Sequence, residues 1–147
     1  MSDLNELASA LPEWATAIAA QLDNKERKKI NRAIAVELRA ANRERIRAQT
    51  DPDGDDFVKP LKSSNSPMFR ELTKARHLKF KATDRYAQIG FKGSAARIAR
   101  IHHEGQRSTV RPDSSKKFPY PERPLIGISG ADRHIIIRVL RESLTTD

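Results

Sequence analysis

The side chains in this sequence with the means to bind a metal or move a proton gather at two places. Asp51, Asp53, Asp55 and Asp56 crowd four carboxylates into six positions, and His102 and His103 stand side by side. A calcium loop counted from Asp51 needs glycine at its sixth position and glutamate at its twelfth, but Asp56 and Lys62 stand there. A two-metal hydrolytic site combining these acids with a histidine fares no better, because the acids occupy consecutive turn positions with no strand to support them. Neutral imidazole can act as ligand or general base. Adjacent residues on a helix, however, point about 100° apart, so His102 and His103 do not share one site easily; a structural place at a helix C-terminus, favoured by the helix dipole, suits them better. No GxGxxG or GxxxxGK[ST] loop and no nucleophile elbow occurs, and cysteine is absent, which removes thiolate metal sites, disulfides and cysteine catalysis. These residues predict no enzyme, no catalytic residue, no cofactor and no bound metal.

The elements that would position these residues follow from periodicity. Leu4, Leu7 and Leu11 recur at helical spacing, Pro12 interrupts them, and Trp14, Ile18 and Leu22 continue. Trp14 reads as a core anchor. Asn24 is placed to cap a long helix in which Ile30, Ile34, Leu38 and Ala41 form the apolar stripe until about Gln49. Asp51-Pro52-Asp53-Gly54 has the chemistry of a tight turn and must end it. Phe57 is expected to pack under the following loop rather than to bind a ligand. Met68, Phe69 and Leu72 suggest a short helix. Leu78, Phe80 and Ala82 alternate with Lys79 and Lys81, and Ala87, Ile89 and Phe91 alternate again after a turn at Thr83-Asp84, which predicts a β-hairpin. Ser94 is expected to cap a helix that Gly105 ends. Gln106 to Lys117 reads as a polar loop or hairpin arm, and the proline-rich run from Phe118 to Pro124 as an added sheet edge. Ser129 or Asp132 opens a last helix. The expected class is α+β: N-terminal helices including one long basic helix, a small mostly antiparallel sheet and a C-terminal helix. With 147 residues, the chain is read as one domain over 1–147, of which 1–50 form a helical N-terminal region.

Charge adds a second pattern. The chain carries a formal charge of +9, with 37% hydrophobic and only 5% aromatic residues, a thin core that invites help from neighbours. Residues 1–23 hold Asp3, Glu6, Glu13 and Asp23 and no Lys or Arg. The helix after them carries Lys25, Arg27, Lys28, Lys29, Arg32, Arg39, Arg43, Arg45 and Arg47 against Glu26, Glu37 and Glu44. Such a face is either solvated, with Glu37 and Glu44 pairing along the helix, or a contact for DNA or an acidic protein; Lys28, Lys29, Arg32, Arg39, Arg43 and Arg47 are the candidate contact residues. No apolar run is long enough to span a membrane, and the acidic start lacks the basic opening of a secretory signal.

Three stretches, taken in order, resemble one family. Arg45-Ile46-Arg47-Ala48-Gln49 with Pro52-Asp53-Gly54 and Phe57, then Arg97-Ile98-Ala99-Arg100-Ile101-His102-His103-Glu104-Gly105, then Tyr120-Pro121-Glu122-Arg123-Pro124-Leu125-Ile126-Gly127 with Asp132, are similar to the phage virion morphogenesis, or tail completion protein S, family of contractile-tailed phages and their prophages. The resemblance runs from about residue 4 to residue 144 and differs from the usual pattern at Glu122 and His103. It implies a non-enzymatic virion protein, assembled in the bacterial host cytoplasm, that completes the tail at its head-proximal end and enables head–tail joining. Its implied partners are further copies of itself in a ring, commonly a hexamer, the tail tube, neck or connector proteins and the DNA passing through the lumen. Pro52, Asp53, Gly54, Phe57, His102, Gly105, Arg123 and Pro124 are its family-motif or interface residues, and Arg123 is the expected buried or interfacial charge. The competing reading is a basic DNA-binding module acting in packaging or regulation, although no helix-turn-helix pattern supports base readout.

Overall fold

The computed structural model describes residues 21–62, 65–109, 113 and 115–145. In chain order it contains helix α1 (Asn24–Arg47), a 3₁₀ turn (Glu71–Thr73), strands β1 (Leu78–Ala82) and β2 (Ala87–Phe91), helix α2 (Ser94–Glu104), strands β3 (Arg107–Thr109) and β4 (Lys117–Pro119), and helix α3 (Gly130–Thr145). This is the α+β arrangement expected. Leu4, Leu7, Leu11, Pro12 and Trp14 lie outside the described residues.

Chain contacts divide the fold into two compact units. Among the described residues, the first contains those up to Ala41, Lys79–Gly90 and those from Ile128, and the second those within Asn42–Leu78 and Phe91–Gly127. In the first unit Ile30, Ile34, Ala35 and Leu38 of α1 pack with Ala87 of β2 and with Ile136, Val139 and Leu140 of α3. Residues four apart on a helix stack on one face, so this spacing turns a single stripe inward. Full burial of a side chain such as Ile34 contributes about 2–3 kcal/mol. Buried Asn31 donates from Nδ2 to the Thr83 carbonyl at 2.7 Å, tying the helix to the hairpin turn. There Thr83 Oγ1 accepts from the Arg85 and Tyr86 amides. Glu37 meets Arg138 of α3 at 3.3 Å, not a neighbour along its own helix, whereas Glu44 pairs with Arg47 at 3.9 Å. Arg138 also reaches Glu142, and these carboxylates, Glu142 foremost, hold its guanidinium above the usual arginine value.

Helix ends refine the expected caps. Asp23, not Asn24, caps α1, its Oδ1 accepting from the Glu26 amide at 2.8 Å. Ser94 does not cap α2: Gly93 holds the cap position at φ +69° and no side chain bonds there. Ser129 and Asp132 act together at α3, where the Ser129 amide donates to Asp132 Oδ2 and the Asp132 amide to Ser129 Oγ, both at 3.1 Å. That reciprocal pair satisfies two otherwise orphaned helix donors, as in a capping box.

The second unit closes on Ile46, Phe57, Leu72, Ala95, Ala99 and Leu125. β1 and β2 form one two-stranded sheet, and β3 and β4 form another. The proline-rich run therefore does not extend the first hairpin. It pairs antiparallel with the segment just before it, Arg107 opposite Pro119, Ser108 opposite Phe118 and Thr109 opposite Lys117. Pro119 and Pro121 lack the amide a ladder needs, which confines this pairing to a short local return.

Candidate functional site

Most basic residues of α1 fall on one side of the helix, with Arg27 and Arg45 on the other. At roughly 100° per residue, Lys25, Lys29, Arg32, Val36, Arg39, Arg43 and Arg47 project within an arc of about 80°. Lys25, Lys28, Lys29 and Arg32 are exposed in the first unit; Arg39 is half-buried, with one terminal nitrogen enclosed. Arg32 also lies 5.2 Å from the Phe80 ring centroid, near enough for a cation–π contact. In the second unit Arg43 is half-buried and Arg47 is exposed beside Glu44. The candidate contact residues thus divide into open cations and cations partly committed to the fold.

The acidic turn after α1 is organised by its own backbone. Asp51 Oδ1 accepts from the Asp53 amide at 2.9 Å and the Asp55 amide at 3.0 Å, and the Gly54 amide donates to the Asp51 carbonyl. Gly54 takes φ +91°, the left-handed conformation this turn requires. Asp53, Asp55 and Asp56 are exposed, and among the described residues no group of three or more His, Cys, Asp or Glu is arranged to hold a metal. Just before the turn, Gln49 adopts φ +62° and uses its amide as a clamp: Nε2 donates to the Ile46 and Met68 carbonyls at 2.8 and 2.9 Å, and Oε1 accepts from the Met68 amide at 2.8 Å. Phe57 is buried and meets Phe69 edge to face, with ring centroids 5.6 Å apart. Phe69 itself sits at φ +63°, a strained place for an aromatic residue that the surrounding contacts must hold.

Those contacts lead to His102 and Arg123. The His102 ring centroid lies 4.8 Å from that of Phe69 and 4.9 Å from that of Tyr120, and Tyr120 in turn meets Phe118 edge to face at 5.2 Å. Arg123 is only 4% exposed. Its Nε donates to the Val58 carbonyl at 2.6 Å and its Nη2 to the Lys59 carbonyl at 3.3 Å, while Nη1 stands 3.4 Å from His102 Nδ1. Burial first, then the Arg123 charge, pushes the His102 pKa below the ordinary histidine value. A guanidinium nitrogen can only donate, so the contact with Arg123 needs His102 Nδ1 as its acceptor. His103 turns elsewhere, its Nδ1 accepting from the Leu125 amide at 3.0 Å. The pair does separate work, as its helical offset requires.

The three stretches that carry the family resemblance meet within the second unit. The Arg123 amide donates to the His102 carbonyl at 2.7 Å. Gly105, at φ +69°, approaches so closely that an added Cβ would stand 2.9 Å from the Glu122 amide nitrogen. A Cβ on Gly127 would stand 2.9 Å from Pro52 Cγ. Asn42 and Arg45 complete this second junction: Arg45 Nη2 donates to Asn42 Oδ1 at 2.7 Å and to the Gly127 carbonyl at 3.1 Å, and the Gly127 amide donates to Asn42 Oδ1 at 3.0 Å. Pro124 is half-buried between Arg123 and the fully buried Leu125. Asn42, Gln49 and Phe69 were not singled out as site residues in the sequence. An Asn in register with the apolar stripe of α1, four residues after Leu38 and four before Ile46, was the available signal for the first; a positive φ at Gln or Phe leaves none.

Donors directed at carbonyls, an imidazole between aromatic rings and glycines at close backbone approaches form one fastening. They hold the post-helix turn, α2 and the proline-rich run in one arrangement within this unit. A family model for the phage virion morphogenesis family matches residues 7–145. The chain is also similar to tail completion protein S of Escherichia phage P2, at 29% identity over 134 residues, covering 85% of this chain and 89% of that protein. No solved structure matches significantly. The match takes in the basic helix, the fastening and the final helix alike, and the chain belongs to the phage virion morphogenesis family.

Proposed function

We propose that this chain acts in phage tail assembly as a non-enzymatic virion protein, finishing the tail at its head-proximal end and making it competent to join the head. The observation that carries the reading is family membership over residues 7–145, together with a relative in Escherichia phage P2 that bears the name tail completion protein S. The whole chain serves as one tail-completion domain. It assembles in the host cytoplasm and acts as a ring of identical copies, six being the expected number, against the tail tube and a neck or connector protein. Ring closure by head-to-tail contact needs two unlike surfaces on each protomer, and a chain with an acidic first segment and a basic helix after it has the charge pattern for them. The exposed fastening-side segment around Val58 and Leu61 is a further candidate for protein contact.

Exposed Lys28, Lys29 and Arg32 also suit phosphates, so DNA in the lumen is the second contact considered. Light scattering of the purified chain, alone and with isolated tail tubes, tests the main reading. A closed oligomer that binds tubes supports it, and a monomer that ignores them contradicts it. Duplex DNA binding that weakens steeply with salt would mark a phosphate contact. Tight, sequence-selective binding that resists salt would favour a regulatory or packaging DNA-binding module instead.

A further inference from the structure

The exposed face of α1 in the first unit is not uniformly basic. Lys25, Lys29 and Arg32 lead along the stripe to Val36, which is 45% exposed although most large aliphatic side chains of this helix are buried. Exposed Ala33 and Ala40 flank it. Small side chains on either side of an exposed valine make a shallow seat for apolar side chains, the form of a helix-in-groove contact, and phosphates have no use for it. Lys25 and Lys29 have no carboxylate partner among the described residues. A cation row broken by an apolar seat calls for an acidic segment with leucines on one face.

The chain carries such a segment. Leu4, Leu7 and Leu11 stand at helical spacing, Asp3 and Glu6 each directly precede one of these leucines, Glu13 follows, and residues 1–23 contain no Lys or Arg. We propose that the acidic N-terminal segment of one copy docks on the stripe formed by Lys25, Lys29, Arg32 and Val36 of the next. Leu22, just ahead of α1, packs on the core cluster of the first unit. The stripe faces away from that cluster, so a neighbouring copy has the more direct access to it. The two surfaces are unlike and reside on one chain, which is the requirement for a closed head-to-tail ring. This inference rests on the ring reading above and names its contact.

Light scattering of the full chain with charge-reversed variants tests it. One variant carries Asp3→Lys, Glu6→Lys and Glu13→Lys; the other carries Lys25→Glu, Lys29→Glu and Arg32→Glu. Glutamate forms helices about as well as lysine or arginine, and at position 25 in the first turn it favours the helix dipole, so the second variant keeps its helix, which circular dichroism verifies. Each variant alone is expected to lose self-association by about tenfold or more, roughly 1.4 kcal/mol per factor of ten. An equimolar mixture recovers it, because each variant supplies the surface the other now needs. Val36→Lys separates a protein seat from a phosphate contact: it weakens self-association here, whereas it would tighten duplex DNA binding on a phosphate-binding face. Oligomers that persist in both charge-reversed variants overturn the docking and leave the ring standing. A mixture that stays dissociated overturns docking between copies, as does a Val36→Lys variant that holds DNA more tightly and associates normally. A wild-type chain that stays monomeric even on tail tubes removes the ring reading and the docking with it.

Discussion

Arg123 combines near-complete burial with a charged guanidinium that donates to the Val58 and Lys59 carbonyls, with His102 beside it. Removing it leaves those carbonyls without their donor, so Arg123→Met is expected to cost about 2–3 kcal/mol in denaturant unfolding. Arg123→Lys should recover only part of that, because an ammonium cannot reproduce the guanidinium fork. His102 gives a pH signature. Its folded pKa lies below the ordinary 6.5, so the unfolded chain takes up this proton first. Its contribution to stability is therefore full above about pH 6.5, falls as pH drops through that value and levels only below the folded pKa. Unfolding curves at several pH values between about 7.5 and 5 should show wild type losing more stability than His102→Gln; equal losses would remove His102 as the titrating group. Gly105→Ala meets both a positive φ and the Glu122 backbone, and is expected to destabilise by about 2 kcal/mol or more. Arg123 and Gly105 were legible in the sequence because a charge beside a proline-rich run and a glycine after a helix are local signals. Gln49 and Phe69 were not, because what holds them at positive φ comes from residues distant in sequence.

At the scale of elements, hydrophobic period identified every helix and the first hairpin among the described residues, while polar chemistry decided their ends. Asn24 and Ser94 are reasonable caps by residue type, yet Asp23 and Gly93 hold those positions. Residue type gives preference for a cap but cannot fix its register to one position. Ser129 and Asp132 were alternatives in the sequence and cooperate in the structure. Ser129→Ala should cost about 1 kcal/mol, measurable as a lowered unfolding midpoint, and an unchanged midpoint would show that the cap contributes nothing. The proline-rich run was misassigned to the first hairpin because its extended character was readable and its partner was not. Pairing depends on where the chain turns back, and here it returns onto the segment immediately before it.

For the molecule as a whole, charge is arranged along the sequence more than its total of +9 suggests. Acids lead, a helix with a one-sided basic stripe follows, and a tightly fastened second unit holds the residues that most resemble the family. The functional class was legible because three modest motifs occur in a fixed order. Their meeting around Gly105, Arg123 and Gly127 required the fold. On the proposed function, copies of this chain complete the tail at the end that receives the head. Electron cryo-microscopy of tails assembled with and without the protein tests this most directly: a closed ring of density is expected at the head-proximal end, absent without the protein, with tails lacking it unable to join heads. Tails that carry no such density and still join heads would contradict it.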